Sequence, residues 1–247
     1  MSPFDPRKDI LPPAQRELWT ELVPAQGLGF VLYGGTAIAL RLGHRTSEDF
    51  DFFTEHELDK EALLEAFPFI TRSTVLQDRL NSFTVQVPFG QLENQYVKVS
   101  FFGSISFGRV GEPGITSDGV LQVASLDDLM ANKVKVILQR VSAKDYIDIA
   151  AMLSAGVALD RGLAAAREMF GNAFQPSESL RAMTYFQGGD LYLLTADVKE
   201  TLIRAASAVR ELPKIQVLSH SLAGYQAESD VSMEEDRPEG DSPDISI

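Results

Sequence analysis

Two aspartates separated by one residue, Asp49 and Asp51, are the side chains in this sequence best suited to chemistry. They lie in Asp49-Phe50-Asp51-Phe52-Phe53, a run that reads as a strand. Alternate strand residues share a face, so the two carboxylates point one way and Phe50 and Phe52 the other. Upstream, the β-prone run Gly29-Phe30-Val31-Leu32-Tyr33 stops at Gly34-Gly35, and Thr36 to Leu42 reads as a helix with Ile38 and Leu42 on one face. The start of that helix presents unpaired N–H groups and the positive end of its dipole just after the glycines, where no Cβ shields the main chain. An anion-binding turn beside two aligned carboxylates suits a divalent metal carrying a nucleoside triphosphate. Either feature alone is ordinary. Their occurrence together, with strand, helix and strand in the right order, carries the reading.

A second group of charged residues follows in Ser125 to Leu153. Lys133 and Arg140 are two helical turns apart and project from roughly one face. Lys144, Asp145 and Asp148 open the next helix. Read alone, Lys144 and Asp148 are a surface i,i+4 pair and Asp145 a first-turn residue favoured by the helix dipole.

The first stretch resembles the nucleotidyltransferase signature of a Gly-Gly turn, a short helix and Asp-x-Asp on the next strand. More narrowly it is similar to the AbiEii/AbiGii toxin family, whose form is Gly-Gly-Thr-Ala, a basic helix end, then Ser-x-Asp-Phe-Asp-Phe. Gly34, Gly35, Thr36, Ala37, Arg41, Ser47, Asp49, Phe50, Asp51 and Phe52 fill that pattern, and Ala131, Lys133, Arg140, Lys144, Asp145 and Asp148 fill the family's second one. The matched region runs from about Phe30 to Leu153. The resemblance implies transfer of a nucleoside monophosphate from an NTP to an RNA acceptor such as tRNA, or to protein. It implies Mg2+ or Mn2+ on Asp49 and Asp51, and nucleotide binding by Gly34, Gly35, Thr36, Ser47, Lys133 and Arg140. Catalytic roles fall to Asp49, Asp51, Lys133 and Asp148, with Lys144 and Asp145 in support. It further implies a toxin paired with a cognate antitoxin or acting in phage defence. One departure stands out. Many nucleotidyltransferases carry a third carboxylate on a later strand, and the matching position here, in Tyr96 to Phe102, is Ser100. Either Asp148 or Asp145 substitutes for it, or the chain is a nucleotide-binding or partner-binding module that kept the fold without the chemistry.

These residues need a scaffold to hold them, and the pattern supplies one of α+β class. Residues 1–124 alternate helix and strand signals and read as a mixed-sheet core with flanking helices. A helix is expected from Pro12-Pro13 through Leu22, with Trp19 in the core, and another from Asp59 to Phe67. Strands are expected at Phe69 to Thr71, Thr74 to Leu76, Ser82 to Val87, Tyr96 to Phe102 and Val120 to Val123, with a glycine-rich loop over 103–119. Residues 125–215 read as helical, opened by Ser125-x-x-Asp128 in the manner of a capping box, and complete a cleft with the first half. Residues 216–247 read as an acidic, disordered tail.

Composition closes off other functions. The 247 residues are 45% hydrophobic, contain no cysteine and hold three scattered histidines, which excludes thiolate and all-histidine zinc sites. No apolar run approaches a membrane span and the first residues lack a signal-peptide pattern, so a cytoplasmic location is expected. His44, the histidine nearest the site, reads as an exposed helix-end residue. The net charge of -13 falls heavily on residues 227–247, where eight acidic residues face one arginine. An acidic body argues against a long nucleic-acid track.

Overall fold

The computed structural model describes residues 2–89 and 96–224. An eight-stranded mixed sheet runs through them in the order β1-β7-β8-β2-β3-β6-β5-β4. Its strands are β1 (Pro3–Phe4), β2 (Val31–Tyr33), β3 (Asp49–Phe53), β4 (Thr74–Arg79), β5 (Ser82–Pro88), β6 (Tyr96–Phe102), β7 (Gly114–Thr116) and β8 (Gln122–Val123). Helices α1 (Pro13–Leu18), α2 (Pro24–Gly27), α3 (Gly34–Leu42) and α4 (Lys60–Ala66) are interspersed with them. The chain then turns helical through α5 (Leu126–Val136), α6 (Ala143–Ser154), α7 (Leu159–Phe170), α8 (Pro176–Thr184) and α9 (Ala196–Ala208). Among the described residues no helix is long and apolar enough to cross a membrane.

The alternation of β3 decides which face of the sheet is dry. Phe50 and Phe52 are fully buried while Asp49, Asp51 and Phe53 are partly exposed. On the dry side, the Phe101 ring lies 5.2 Å from both Phe30 and Phe67 and 5.5 Å from Phe52. Trp19 approaches Phe50 at 6.4 Å and donates its indole N–H to Asp118 at 2.9 Å, so it is core with a satisfied polar edge. Each such ring removed from water stabilises the fold by about 1.5–3 kcal/mol. The expected β5–β6 hairpin forms with seven paired rungs. Its turn, residues 90–95, lies outside the described residues.

Three local expectations change. Phe69 to Thr71 is part of a 3-10 turn, Pro68–Arg72, and the strand begins only at Thr74. Pro68 has no N–H to give a ladder, and the tighter turn buries Phe69 and Ile70 together. The loop 103–119 contains β7, which pairs with β1 and β8. The tail begins later than composition suggests. Leu222 is fully buried, Arg109 donates to the Ser221 carbonyl at 3.0 Å, and Glu55 accepts from Ser221 and Leu222. Residues 216–224 are therefore docked on the body; the disorder expected for residues 225–247 lies outside the described residues.

The helical part is tied to the sheet by α3, which packs against both α5 and α6. Ser125 caps α5 by accepting from the Asp128 N–H at 3.1 Å. Asp128 does not close the reciprocal half of a capping box. Its carboxylate accepts from the Ser125 hydroxyl at 2.6 Å and the Val110 N–H at 2.7 Å, tying the loop after β6 to α5.

Candidate active site

Gly34 begins α3 directly at the end of β2, with φ at +75°, a conformation that L side chains rarely adopt. A Cβ there would lie 2.6 Å from Asp51 Oδ2, so only glycine lets the turn close against the carboxylate. Among the described residues no side chain caps the first turn of α3. Thr36 is not at the surface of this cradle. Its hydroxyl bonds to Ser47 Oγ at 2.9 Å and to the Asp49 carbonyl, and the residue is 1% exposed. The expectation that this hydroxyl holds phosphate is thus replaced: it pins the start of β3 to α3, leaving Ser47 to line the cleft.

β3 runs antiparallel to β2 and parallel to β6, with Asp51 opposite Tyr33 on one side and Ser100 on the other. The position that could carry a third carboxylate is therefore Ser100. Two rungs away, Asp49 pairs with Lys98, whose ammonium sits 2.9 Å from Asp49 Oδ2. Burial first, and the charge of Asp49 second, push the Asp51 carboxyl above the usual aspartate value, against the pull of Lys98 and a hydrogen bond with Ser100. Ionised, this pair lacks sufficient positive charge.

The opposite wall has the reverse problem. Asp145 and Asp148 on α6 are fully buried. Lys133 of α5 places its ammonium 2.7 Å from each of them. Arg45 grips Asp148 with two bonds of 2.6 and 2.8 Å, and His44 Nε2 adds a contact at 2.7 Å. Arg140 binds Asp145 through Nε and Nη2 at 2.7 and 2.9 Å. Burial alone would raise both acids. Hydrogen bonds from His44 and Arg45, with the Lys133 charge, instead hold Asp148 far below the ordinary range, and Arg140 and Lys133 lower Asp145. The surface-pair reading of Lys144 and Asp148 does not hold: Lys144 is exposed at the cleft wall while Asp148 faces inward. Arg140 reaches the site by an unexpected route. α5 stops at Val136, and Arg140 lies in the turn that follows rather than on the face of Lys133.

Between the two walls lies a cleft of about 840 Å3, large enough for a nucleotide. It is lined by Gly34, Gly35, Ser47, Asp49, Asp51 and Ser100 from the sheet side and by Lys133, Arg140, Lys144 and Asp145 from the helical side. Phe53 and Phe102, with ring centres 5.2 Å apart, form an apolar stretch of the same lining. Three participants were not legible as site residues. His44 is inward-facing, its side chain only 10% exposed. Arg45, and not Arg41, is the basic group at the site; Arg41 turns away to the Val123 and Ala124 carbonyls and stacks on Phe4. Gly43, left-handed at the end of α3, redirects the chain between them. Lys98 had a usable signal, since it lies two residues before Ser100 and shares its strand face.

A glycine turn feeding a helix, with Asp-x-Asp on the adjoining strand of a mixed sheet, defines a nucleotidyltransferase fold. MenT4, a nucleotidyltransferase toxin from Mycobacterium tuberculosis H37Rv, has this fold, with a TM-score of 0.54 at 15% identity over 79% of this chain and 82% of its own. The chain belongs to the AbiEii family: the model for nucleotidyl transferase AbiEii toxins of type IV toxin–antitoxin systems matches residues 18–217. An uncharacterized protein of Aquifex aeolicus (strain VF5) is 30% identical over 122 residues, 49% of this chain and 55% of that protein, so the chain spans about half the length of this curated relative. An antigenic nucleotidyltransferase-like protein from Paracoccidioides brasiliensis aligns over 82% of the chain and 95% of its own at 18% identity, with a TM-score of 0.48.

Proposed function

We propose that the protein is a divalent-metal-dependent nucleotidyltransferase, acting in the cytoplasm as the toxin of a toxin–antitoxin pair. The observation that carries this reading is one cleft in which Asp49 and Asp51 face Lys133 and Arg140 across the bare start of α3. The donor set fits a hard cation. Two carboxylates and the Ser100 hydroxyl offer only oxygen, and burial first, then the neighbouring Asp49 charge, raise the Asp51 carboxyl, which a bound cation would offset. Mg2+ or Mn2+ on Asp49 and Asp51, completed by phosphate oxygens, would supply Lewis-acid polarisation of the triphosphate.

The chain's own groups do the rest. Main-chain N–H groups at Gly34 and Gly35, with Ser47, cradle phosphate. Lys133 and Arg140 stabilise the charge that grows on the departing pyrophosphate. The acceptor hydroxyl oxygen bonds to the α-phosphorus as the α–β bridging bond breaks. Pyrophosphate leaves with that electron pair, and the hydroxyl proton passes to solvent. Asp148 serves as a positioning residue and not as the base. Its lone pairs are engaged by Lys133, Arg45 and His44, its acidity is far from that of a group that accepts protons near neutrality, and it does not line the cleft. The acceptor is RNA or protein.

Incubating the protein with each α-labelled triphosphate, Mg2+ and total RNA and protein tests this. Label in one acceptor class, with pyrophosphate released, is the expected result. Nucleotide binding without labelling by any of the four would leave a binding module, the alternative that Ser100 raises.

A further inference from the structure

The register of β3 against β6 orders the sheet wall of the cleft. Alternate rungs of this parallel pair face the cleft in turn: Asp49 beside Lys98, Asp51 beside Ser100, and Phe53 beside Phe102. Along the strands the wall passes from an ion pair, through the candidate metal ligand, to a pair of aromatic rings. Phe53 and Phe102 are both half-buried, so part of each ring is open to a ligand. Tyr33 stacks on Phe53 with centroids 4.8 Å apart and planes at 11°, which steadies the Phe53 ring. Two residues along a strand span about 6.6 Å. A nucleotide whose phosphates meet Asp51 therefore brings its base to the aromatic rung.

The helix α5 passes over this wall in matching order. Leu129, Asn132 and Val136, spaced i, i+3 and i+7, line the cleft from one face of the helix. Burial first, and then the Asp128 charge, raise the Tyr33 hydroxyl, so the first turn of α5 lies toward the Tyr33–Phe53 stack. Lys133, further along, is close enough to Asp51 to pull its carboxyl down against burial and Asp49. Asn132 sits between these two points. Its Nδ2 donates to the Asp128 carbonyl at 2.9 Å. A carbonyl only accepts, so this bond settles which end of the amide is which and turns Oδ1 the other way. Asn132 is half-buried, not sealed, and its Oδ1 has no partner among the described residues. The aromatic end of the cleft thus carries an acceptor of fixed direction in a largely apolar setting.

We propose that Asn132 selects the incoming triphosphate by its base, taking one with an exocyclic amine, cytosine or adenine, over its keto counterpart, uracil or guanine. The proposal rests on the nucleotidyltransferase reading of the cleft. Cytosine N4 and adenine N6 are donors, whereas uracil O4 and guanine O6 are acceptors at the same place on the ring. An amide oxygen held toward the base accepts from the amine and repels the keto oxygen. Because Nδ2 is anchored, the side chain cannot flip to offer its donor instead without breaking the bond to Asp128. A buried acceptor left facing another acceptor costs more than a good hydrogen bond gains, so rejection of the wrong base is the larger effect. Phe53 and Phe102 supply affinity without choice, since every base has a π face to stack. Selection and grip thus come from opposite walls.

Calorimetry on the full chain with Mg2+ tests this, using ATP, CTP, GTP, UTP and inorganic tripolyphosphate. In wild type the amino-base triphosphate should bind about 5- to 100-fold tighter than the keto one of the same ring size. In Asn132→Leu that ratio should shrink to within about twofold, because the directed acceptor is gone. Phe53→Leu keeps an apolar side chain without a ring face. It should weaken all four nucleotides by about 5- to 100-fold and preserve the amino-to-keto ratio. Tripolyphosphate has no base and should bind both variants as it binds wild type. Equal affinity for amino and keto bases in wild type, or a ratio that survives Asn132→Leu, would overturn the selection by Asn132. Should a variant not fold, the wild-type ratios decide alone. A wild type that binds neither nucleotide nor tripolyphosphate would overturn the nucleotidyltransferase reading itself.

Discussion

The molecule contains two pairs of aspartates in opposite electrostatic states, one on the sheet wall of the cleft and one buried in α6 on its helical side. Asp49 and Asp51 on β3 are open to the cleft, repel each other, and have one lysine between them as counter-charge. Asp145 and Asp148 on α6 are sealed from water and wrapped by Lys133, Arg45, Arg140 and His44. The first pair is short of positive charge, so it suits a cation that arrives from outside. The second pair is satisfied within the protein and fixes Lys133 and Arg140 at the cleft wall. Residue type alone does not separate a ligand from a support. The surroundings do.

Asparagine substitution, which keeps shape and removes charge, should split the two pairs. The largest effect is expected from Asp51→Asn. Transfer should fall below about 1% of wild type, and metal-dependent triphosphate affinity should drop at least roughly tenfold. Its melting temperature should hold or rise, because the charge removed was disfavoured by burial and by Asp49. Calorimetry with and without EDTA, beside a thermal scan, measures both; a large loss of stability would place Asp51 with the supporting pair.

Asp148→Asn should do the reverse. Leaving Lys133 and Arg45 without their buried counter-charge should cost about 3–5 kcal/mol of stability. Transfer should fall by about 10- to 100-fold through a displaced Lys133, the scale for outer partners of a site. The residual activity should keep the wild-type pH profile. Loss of the acid limb of that profile would restore Asp148 as the general base.

Acid titration should also distinguish the pairs. Asp145 and Asp148 are held below the ordinary aspartate value of about 3.9, so their stabilisation is fully present above it and is lost as pH falls through their folded values. Asp51 is displaced upward, so metal-dependent nucleotide affinity should begin to weaken at a higher pH than stability does. Parallel pH series of unfolding and binding would expose a common midpoint if this is wrong.

The smallest effect concerns the chain's end. Removing residues 227–247 should move the melting temperature by no more than about 1–2 °C. A chain ending at Ile215 should lose more, since it forfeits buried Leu222 and the contacts of Glu55 and Arg109.

Much of the sheet-side wall was legible because its logic is local. Strand alternation sorts Asp49 and Asp51 from Phe50 and Phe52, and the glycines announce a turn. The position of Ser100 also follows from alternation, and Lys98 shares its face two residues earlier. The helical wall was legible only through resemblance. Whether Asp148 lies on a solvated face depends on Arg45 and His44, about a hundred residues away in the chain, and no periodicity reports such a contact. Residues 216–224 were misjudged because composition weighs apolar content, whereas this segment is held as much by Arg109 and Glu55 as by Leu222.

The close approach of Gly34 to Asp51 fixes a dimension of the machine. The space between the first residue of α3 and the Asp51 carboxylate is too small for a methyl group: a Cβ on Gly34 would meet Asp51 Oδ2 at 2.6 Å. Most binding sites set such spacings through side-chain rotamers, which can relax. Here the spacing also depends on position 34 having no side chain. Alanine at this position would force the acid aside instead of merely crowding it. Pairing of β2 with β3 brings the turn and the Asp51 strand together.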